Sequence, residues 1–495
     1  MDSKRKKYFG LLLAALSTSL FFSCGDGDEG ENVEREGEEG ENADDDDNDN
    51  DNNNDDGEIS WRMPLDSPVC GMSSYEWLNP FQMGEIVEVK KLPLYSMSKE
   101  AIYDLLVENG YETKLEIKYG AETYLVRYET QDRGRKIEAT AVVGYPRISR
   151  QEELAAPAVL WLHGTAGFMD DCAPSKQGAE GALPVVMMAS QGYVAVAPDY
   201  IGMNGMGEPS EMFHPYLVGE ATAIASWDSV RALQKFLDNI AMTAVYMDGR
   251  VIPWGGSQGG HAALFSALYA PYYAPEYEIP AAVALVPPTD LVRQSEEAVK
   301  AFGPATVTLG GALTAMSRWY GYFEELSAAI RNEEPYYIAE LLPELMDTTC
   351  EVDQEAYEID EVRDIYTDEF IKRLSSGVWA DYDPWYCMMA ENSLPFTSVE
   401  RINTVPTLFQ VSEFDELVNP AVEREAFVAL CEMGFLFEYI ECKDAGHTAG
   451  AIWSLEEQFK WVADRLAGVS LSNPCVRGEA VCCSGTDSGS CVEEE

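Results

Sequence analysis

"VIPWGGSQGGHAAL", residues 251–264, sets one serine between two pairs of glycines, directly after a β-branched apolar run. Gly255-Gly256-Ser257-Gln258-Gly259 fits G-x-S-x-G, with a strand-like RVIPW before it and a helical HAALFSALYA after it. A nucleophile on such a strand-to-helix turn needs glycine two residues to either side, because the turn leaves no room for side chains there. It lifts the serine hydroxyl clear at the helix N-terminus. A glycine loop built for phosphate would need Lys and then Ser or Thr after the glycines, whereas this chain has His and Ala.

A serine nucleophile needs a base, and the chain has only four histidines. His261 lies one helical turn beyond Ser257, on a segment that packs down against the sheet, and reads as a packed core residue rather than a base that can approach from the side. His447, in ECKDAGHTAGAIW, follows the last strand-like run, FLFEYIE, in a glycine-flanked loop before a terminal helix. That placement suits the base when the chain order is Ser, Asp, His. The acid then belongs just past the preceding strand, where VPTLFQVSEFDELVNP offers Glu413, Asp415 and Glu416. Asp415 is preferred, because it follows the strand end by a short turn; it would hold the imidazole tautomer and stabilise its charge. Asp444 is too close to His447 in sequence to orient that ring. A second tight turn, LWLHGTAGFMDDCAPS, supplies an oxyanion site: the backbone N–H groups of Thr165 and Gln258 would face the developing charge, with His163 shaping the loop. His214, in FHPYLVGEATA, has no evident chemical partner and reads as structural.

From about Trp61 to Ser470 strand-like runs alternate with helical ones, the pattern of an α/β fold with a mostly parallel sheet. TYLVRYET and KIEATAVVGYP read as early antiparallel strands. APAVLWLHG, YVAVAPDY, RVIPWGG, AAVALVP and VPTLFQVS read as buried central ones. Ile224, Trp227, Val230, Leu233 and Leu237 mark a helix that packs one side on the sheet. Residues from about 288 to 400 break this rhythm with helical, acidic and aromatic sequence too long for a connection, which implies an inserted subdomain.

Both ends differ from the body. MDSKRKKYFGLLLAALSTSLFFSC has a basic start, a short apolar stretch and Ser23 before Cys24, which reads as an export signal over 1–23 rather than a spanning helix. Ser23-Cys24-Gly25 resembles the lipobox of bacterial lipoproteins, in which Cys24 is acylated, although Phe21 departs from that pattern. Ordinary secretion is the alternative. Residues 24–60 are almost wholly polar and acidic, and cannot offset chain entropy by burial; they read as a disordered tether. Asp47 to Glu58 lacks the central glycine and flanking helices of a calcium loop. Setting Cys24 aside leaves ten of the 11 cysteines, an even number that suits disulfides in an exported chain. Cys482 and Cys483 are adjacent and unsuited to bridging each other, with Cys475 and Cys491 within reach, in a Cys-rich tail over 471–495. No cysteine or histidine spacing suits zinc, so no metal is expected. The net charge of −52 resides mostly in the body and repels nucleic acid and anionic lipid.

With these residues in place, the chain resembles the secretory lipase family of the α/β-hydrolase fold, the extracellular fungal and bacterial lipases. The stretches that carry the resemblance are WLHGTAGFMDDCAPS, VAPDYIGMNG, HPYLVGEATAIASWDSVRAL, WGGSQGGHAAL and GHTAG, spread over roughly residues 85 to 470. The resemblance implies hydrolysis of acyl esters or lipids through Ser257, Asp415 and His447, with no cofactor, under a helical cap formed by the insertion. It also suggests disulfides Cys172–Cys350 and Cys431–Cys475. The same residues could serve a serine peptidase or acyltransferase, or survive in a surface binding lipoprotein that has lost the chemistry. Chain length of the acyl group and oligomeric state are not legible.

Overall fold

Strand segments that are apolar on both faces form the centre of one nine-stranded sheet. In the computed structural model the described residues are 59–486, apart from 109–114, 150, 336 and 351–358, together with Cys491. The export-signal reading, Cys24 and nearly all of the acidic tether lie outside them. The strands are β1 (Ile86–Lys91), β2 (Gly120–Asp132), β3 (Arg135–Arg147), β4 (Leu154–Leu162), β5 (Val194–Pro198), β6 (Val245–Gly256), β7 (Ala282–Leu285), β8 (Pro406–Ser412) and β9 (Leu436–Cys442). They lie in the order β1-β2-β3-β5-β4-β6-β7-β8-β9. Pairing is antiparallel from β1 to β5 and parallel from β5 to β9.

Period-two alternation assigns the two faces. Ala158, Leu160 and Leu162 of β4 join the larger core, with the helices Gly219–Asn239 and Gln258–Tyr273. Val159 and Trp161 join the opposite core, with Val185 and Met188 of the helix Ala179–Gln191 and Phe459 and Val462 of the helix Leu455–Leu466. Burial on both faces explains why these strands read as continuous apolar runs. Only β1 gives no such signal: it is an edge strand with no fully buried residue.

The helix Gly219–Asn239 departs from the one-sided packing its sequence suggests. Polar residues on its other sides are buried as well, among them Ser226, Asp228, Ser229 and Arg231. Asp228 accepts hydrogen bonds from Thr130 of β2 (2.7 Å), Tyr273 (3.0 Å) and Arg231 (2.8 Å). Arg231 also donates to the Tyr273 carbonyl and to Glu276. A residue that looks solvent-facing can thus lie in the core when its partners arrive from distant segments.

Between β7 and β8 the chain forms the helices Leu291–Ala298, Pro304–Tyr320, Ile338–Met346, Val362–Ile365, Asp368–Ser375 and Trp385–Glu391. Five disulfides close the molecule: Cys70–Cys387, Cys172–Cys350, Cys431–Cys475, Cys442–Cys483 and Cys482–Cys491. Both pairs suggested by the family resemblance are present. Of the partners within reach of Cys482 and Cys483, Cys491 takes Cys482, but Cys475 turns back to Cys431. The tail lies along the outer edge of β9, where Cys475 N–H donates to Phe437 O (2.7 Å), Val481 N–H to Glu441 O (2.8 Å) and Lys443 N–H to Val481 O (2.8 Å).

Burial pushes the Asp290 carboxyl upward, as it does four others: Asp199 and Asp228 to about 6, Glu220 to about 7 and Glu423 to about 8. Each holds its proton more tightly folded than unfolded, so between the ordinary carboxylate range and these values the native state binds more protons. Stability therefore falls as pH rises through that window. Repulsion within the −52 net charge acts in the same direction. Below pH 6.5 the buried, neutral His163, His214 and His261 act in the opposite sense, because unfolding lets them take up protons, so the test lies above that range. Calorimetric melting is expected to give a higher Tm at pH 7 than at pH 9, where Glu220 and Glu423 ionise; a Tm that rises with pH across this range would contradict the assignment.

Candidate active site

Strand β6 ends at Gly256 and the helix Gln258–Tyr273 begins two residues later, so Ser257 alone turns the chain. It adopts φ 56° and ψ −121°, a conformation that costs a side-chain-bearing residue about 1–3 kcal/mol. Its N–H donates to Leu285 O of β7 (2.9 Å), and its own carbonyl accepts from His261 N–H (3.0 Å). The turn is tight against β4: a Cβ on Gly255 would collide with the carbonyl oxygens of Leu162 and Gly259, and one on Gly259 with Leu162 O. Gly256 is different, since a Cβ there would first meet Leu285 at 3.7 Å. Three other side-chain-bearing residues with positive φ lie close by in the fold: Tyr200 and Leu217, and Val286 directly after β7.

His447 and Asp415 come together from separate loops. Asp415, three residues past β8, accepts His447 Nδ1–H at 2.8 and 2.9 Å on its two oxygens. The N–H groups of Leu417 (2.9 Å) and Val418 (2.7 Å) fix its Oδ1. His447 is the first residue of a short helix, His447–Trp453, rather than part of the loop before it. Both side chains are buried, and among the described residues His447 Nε2 has no hydrogen-bond partner. No hydrogen bond joins it to Ser257 among those residues.

The other carboxylates near the acid brace this arrangement. Glu416 accepts the His447 backbone N–H (3.0 Å), a favourable place for negative charge at a helix start. Glu413 accepts Asp444 N–H (2.8 Å), and Phe414 N–H donates to Ala445 O (2.8 Å). These bonds strap the two loops together. In sequence, Glu413 and Glu416 are only rival acids.

The remaining histidines are buried, and burial pushes His163 and His261 down to about 4 and His214 to about 3. His261 Nε2–H donates to Asn392 O (2.8 Å), as suits a packed residue. His163 stacks on Tyr200 at 4.1 Å, and Tyr200 OH donates to His163 O (3.0 Å), which shapes the turn carrying Thr165. Thr165 shares a hydrogen bond of 2.8 Å between its hydroxyl and that of Tyr216. His214 is less detached than its sequence suggests. Its Nδ1–H donates to Ile201 O (3.0 Å), leaving Nε2 to accept from the Gln258 side chain (2.8 Å) at the start of the Ser257 helix.

Ser257 borders a cavity of about 60 Å³, enough for a few water molecules and too small for a long acyl chain. Its walls are mostly apolar, from Leu217, from the inserted helices (Leu291, Leu309, Met389) and from Leu417 and Val418 beside Asp415.

This sheet, with helices on both faces and the serine at the β6 turn, is the α/β-hydrolase fold. The rice cell wall degrading esterase LipA from Xanthomonas oryzae superposes with a TM-score of 0.63 at 20% identity, over 78% of this chain and 99% of that one. Candida antarctica lipase A in its closed state gives a TM-score of 0.61 at 16% identity, over 86% and 91%. The pattern of the secretory lipase family matches residues 177–473, more than half of the sequence, and the chain belongs to that family. It is also 25% identical over 378 residues to Lipase A from Arthroderma benhamiae, covering 72% of this chain and 73% of that one. The protein is a carboxylic ester hydrolase of the lipase and esterase type. Its membership of a secretory family accords with export, as do the five disulfides. Among the described residues no helix is long and apolar enough to cross a membrane.

The packing of the turn separates two neighbouring substitutions. Gly259→Ala is expected to destabilise by at least about 1–3 kcal/mol, while Gly256→Ala has room for its methyl group and should shift stability by about 0.5 kcal/mol or less. Urea unfolding of the two variants measures the difference; equal midpoints would refute the close approach of the turn to Leu162.

Proposed function

We propose that this esterase or lipase works through an acyl-enzyme, with Ser257 as nucleophile, His447 as base and Asp415 as its orienting acid. The observation that carries the reading is the His447 ring, clamped to Asp415 through Nδ1 while Nε2 is left unpaired. That tautomer puts the lone pair on Nε2. His447 takes the Ser257 proton as the serine oxygen bonds to the ester carbonyl carbon, and Asp415 stabilises the imidazolium that forms. The tetrahedral intermediate collapses with loss of the alcohol, which receives the proton back from His447. Water then attacks the acyl-enzyme by the same route in reverse.

The backbone N–H groups of Gln258 and Thr165 are assigned to the oxyanion. The first N–H of a helix has no acceptor within it and sits at the positive end of the dipole, which suits Gln258. The neutral His214 holds the Gln258 side chain in place.

The inserted helices act as a cap whose apolar residues receive the acyl group. Because the cavity beside Ser257 is small, a long chain enters only when these helices shift. At the other end of the chain, acylation of Cys24 would anchor the enzyme through its acidic tether. Radiolabelled fatty acid should then enter the wild-type protein and not Cys24→Ser; label in both would refute the anchor.

A fluorophosphonate probe should add one label to the wild type, mapping to Ser257, and none to Ser257→Ala. Asp415→Asn should lower kcat on p-nitrophenyl esters by about 10⁴-fold, since it favours the wrong tautomer. Equal labelling of Ser257→Ala would overturn the assignment.

A further inference from the structure

A buried polar cluster lies behind the Ser257 cavity and takes no part in the steps above. Glu423, in the first turn of the helix Pro420–Glu432, is fully enclosed. Its Oε1 accepts Thr289 N–H (3.1 Å) and the Gln294 side-chain amide (2.8 Å), and its Oε2 faces the Thr289 hydroxyl. Gln294 stands on the first inserted helix, Leu291–Ala298, and borders the Ser257 cavity. It also grips the acid loop on both sides of Asn419, accepting Asn419 N–H (2.9 Å) and donating to Asn419 O (3.2 Å). Asn419 directly follows Leu417 and Val418, whose N–H groups hold Asp415. An unbroken series of hydrogen bonds therefore runs from Glu423 through Gln294 to the loop that orients His447.

The charges around this carboxyl do not compensate it. Asp290, at the start of the inserted helix, is the charged group that acts on Glu423, and it is negative. Arg293 turns outward to Glu425 (2.7 Å), and Arg424 pairs with Glu441 (2.5 Å). Glu296 accepts from Trp379 (2.9 Å), and Asp415 is engaged with His447. An ionised Glu423 would be a buried carboxylate with hydrogen bonds but no cation, next to a second acid, an arrangement that favours opening the contact to water. Burial first, and Asp290 after it, push its carboxyl up to about 8, against the pull of Thr289 and Gln294. The neutral acid, by contrast, can donate from Oε2 to the Thr289 hydroxyl while Oε1 accepts two N–H groups.

We propose that Glu423 is a positioning residue whose protonated form locks the first cap helix onto the acid loop, and whose ionisation releases both the cavity wall and the Asp415 loop. The proposal rests on Asp415 and His447 acting as assigned above, and it makes alkaline loss of activity a property of the cap contact rather than of the base.

The test is a pH–rate profile from pH 6 to 10 on soluble p-nitrophenyl butyrate, with kcat and KM resolved separately. For the wild type kcat should fall about fivefold or more through a limb centred near pH 8. Glu423→Gln, which stays neutral with a similar donor and acceptor pattern, should remain within about twofold of wild type at pH 7 and lose that limb. Glu423→Ala, if it folds, should lose about tenfold in kcat at every pH tested. A wild-type profile flat to pH 10, or a Gln variant that keeps the limb, would overturn the proposal. Failure of the catalytic assignment would show separately, as absence of fluorophosphonate label on the wild type at pH 7.

Discussion

The approach of the Ser257 turn to the Leu162 carbonyl is the constraint around which this molecule is arranged. A helix that must leave β6 and pass directly over the end of β4 can do so only where the backbone is bare, so Gly255 and Gly259 are fixed by hard-sphere repulsion. Ser257, the residue between them that must carry a side chain, is forced into a strained conformation, φ 56° and ψ −121°. The hydrogen bond from Ser257 N–H to Leu285 O ties the turn to β7. The active-site geometry thus begins as a packing requirement between two parallel strands and the helix above them.

Electrostatics then distinguishes four otherwise similar imidazoles. His163, His214 and His261 are enclosed without an acid, and burial keeps them neutral, so they can serve only as fixed donors, acceptors or stacking surfaces. His447 alone has a carboxylate on Nδ1. The acid is itself held by two backbone N–H groups, and the base by the Glu416 carboxylate, so neither ring nor loop can swing independently.

The elements legible in the sequence are those whose signal is local. Glycine spacing marks the Ser257 turn, apolar runs mark β2 to β9, and loop position after a strand picks out Asp415 and His447. What escapes is what depends on partners far along the chain. Nothing in IVEVKK distinguishes β1 from a surface loop, because this edge strand, unlike β9, has no fully buried residue to display. Asp228 and Arg231 sit at positions that the apolar stripe of their helix assigns to solvent, while Glu423 is a charged residue on the apolar face of its own, beside Ala426, Phe427 and Leu430; only β2, the Tyr273 helix end and the first inserted helix supply the partners that let all three be buried. Cys70–Cys387 spans 317 residues, beyond any inference from spacing. The roles of Glu416 and His214 were hidden for another reason. Both residues were visible, but their partners are a backbone N–H and a neighbouring amide that no sequence pattern encodes.

The C-terminal tail bears on how the enzyme meets other copies of itself. An open sheet ends in two rows of unpaired backbone groups, either of which can recruit a foreign strand. Here the two rims are guarded by different means. At β9 the tail's own peptide groups occupy part of the rim, and the cystines Cys431–Cys475 and Cys442–Cys483 staple it there, so the chain supplies its own blocking strand. At β1 the strand is only six residues long and ends in Lys90 and Lys91, of which Lys91 pairs with Glu122 of β2 (2.9 Å), so the rim left open is short and charged. A sheet closed covalently on one side and guarded only by a short charged strand on the other has one open seam, so as salt screens the repulsion between copies of a −52 chain, molecules would meet along β1 and leave the β9 side closed.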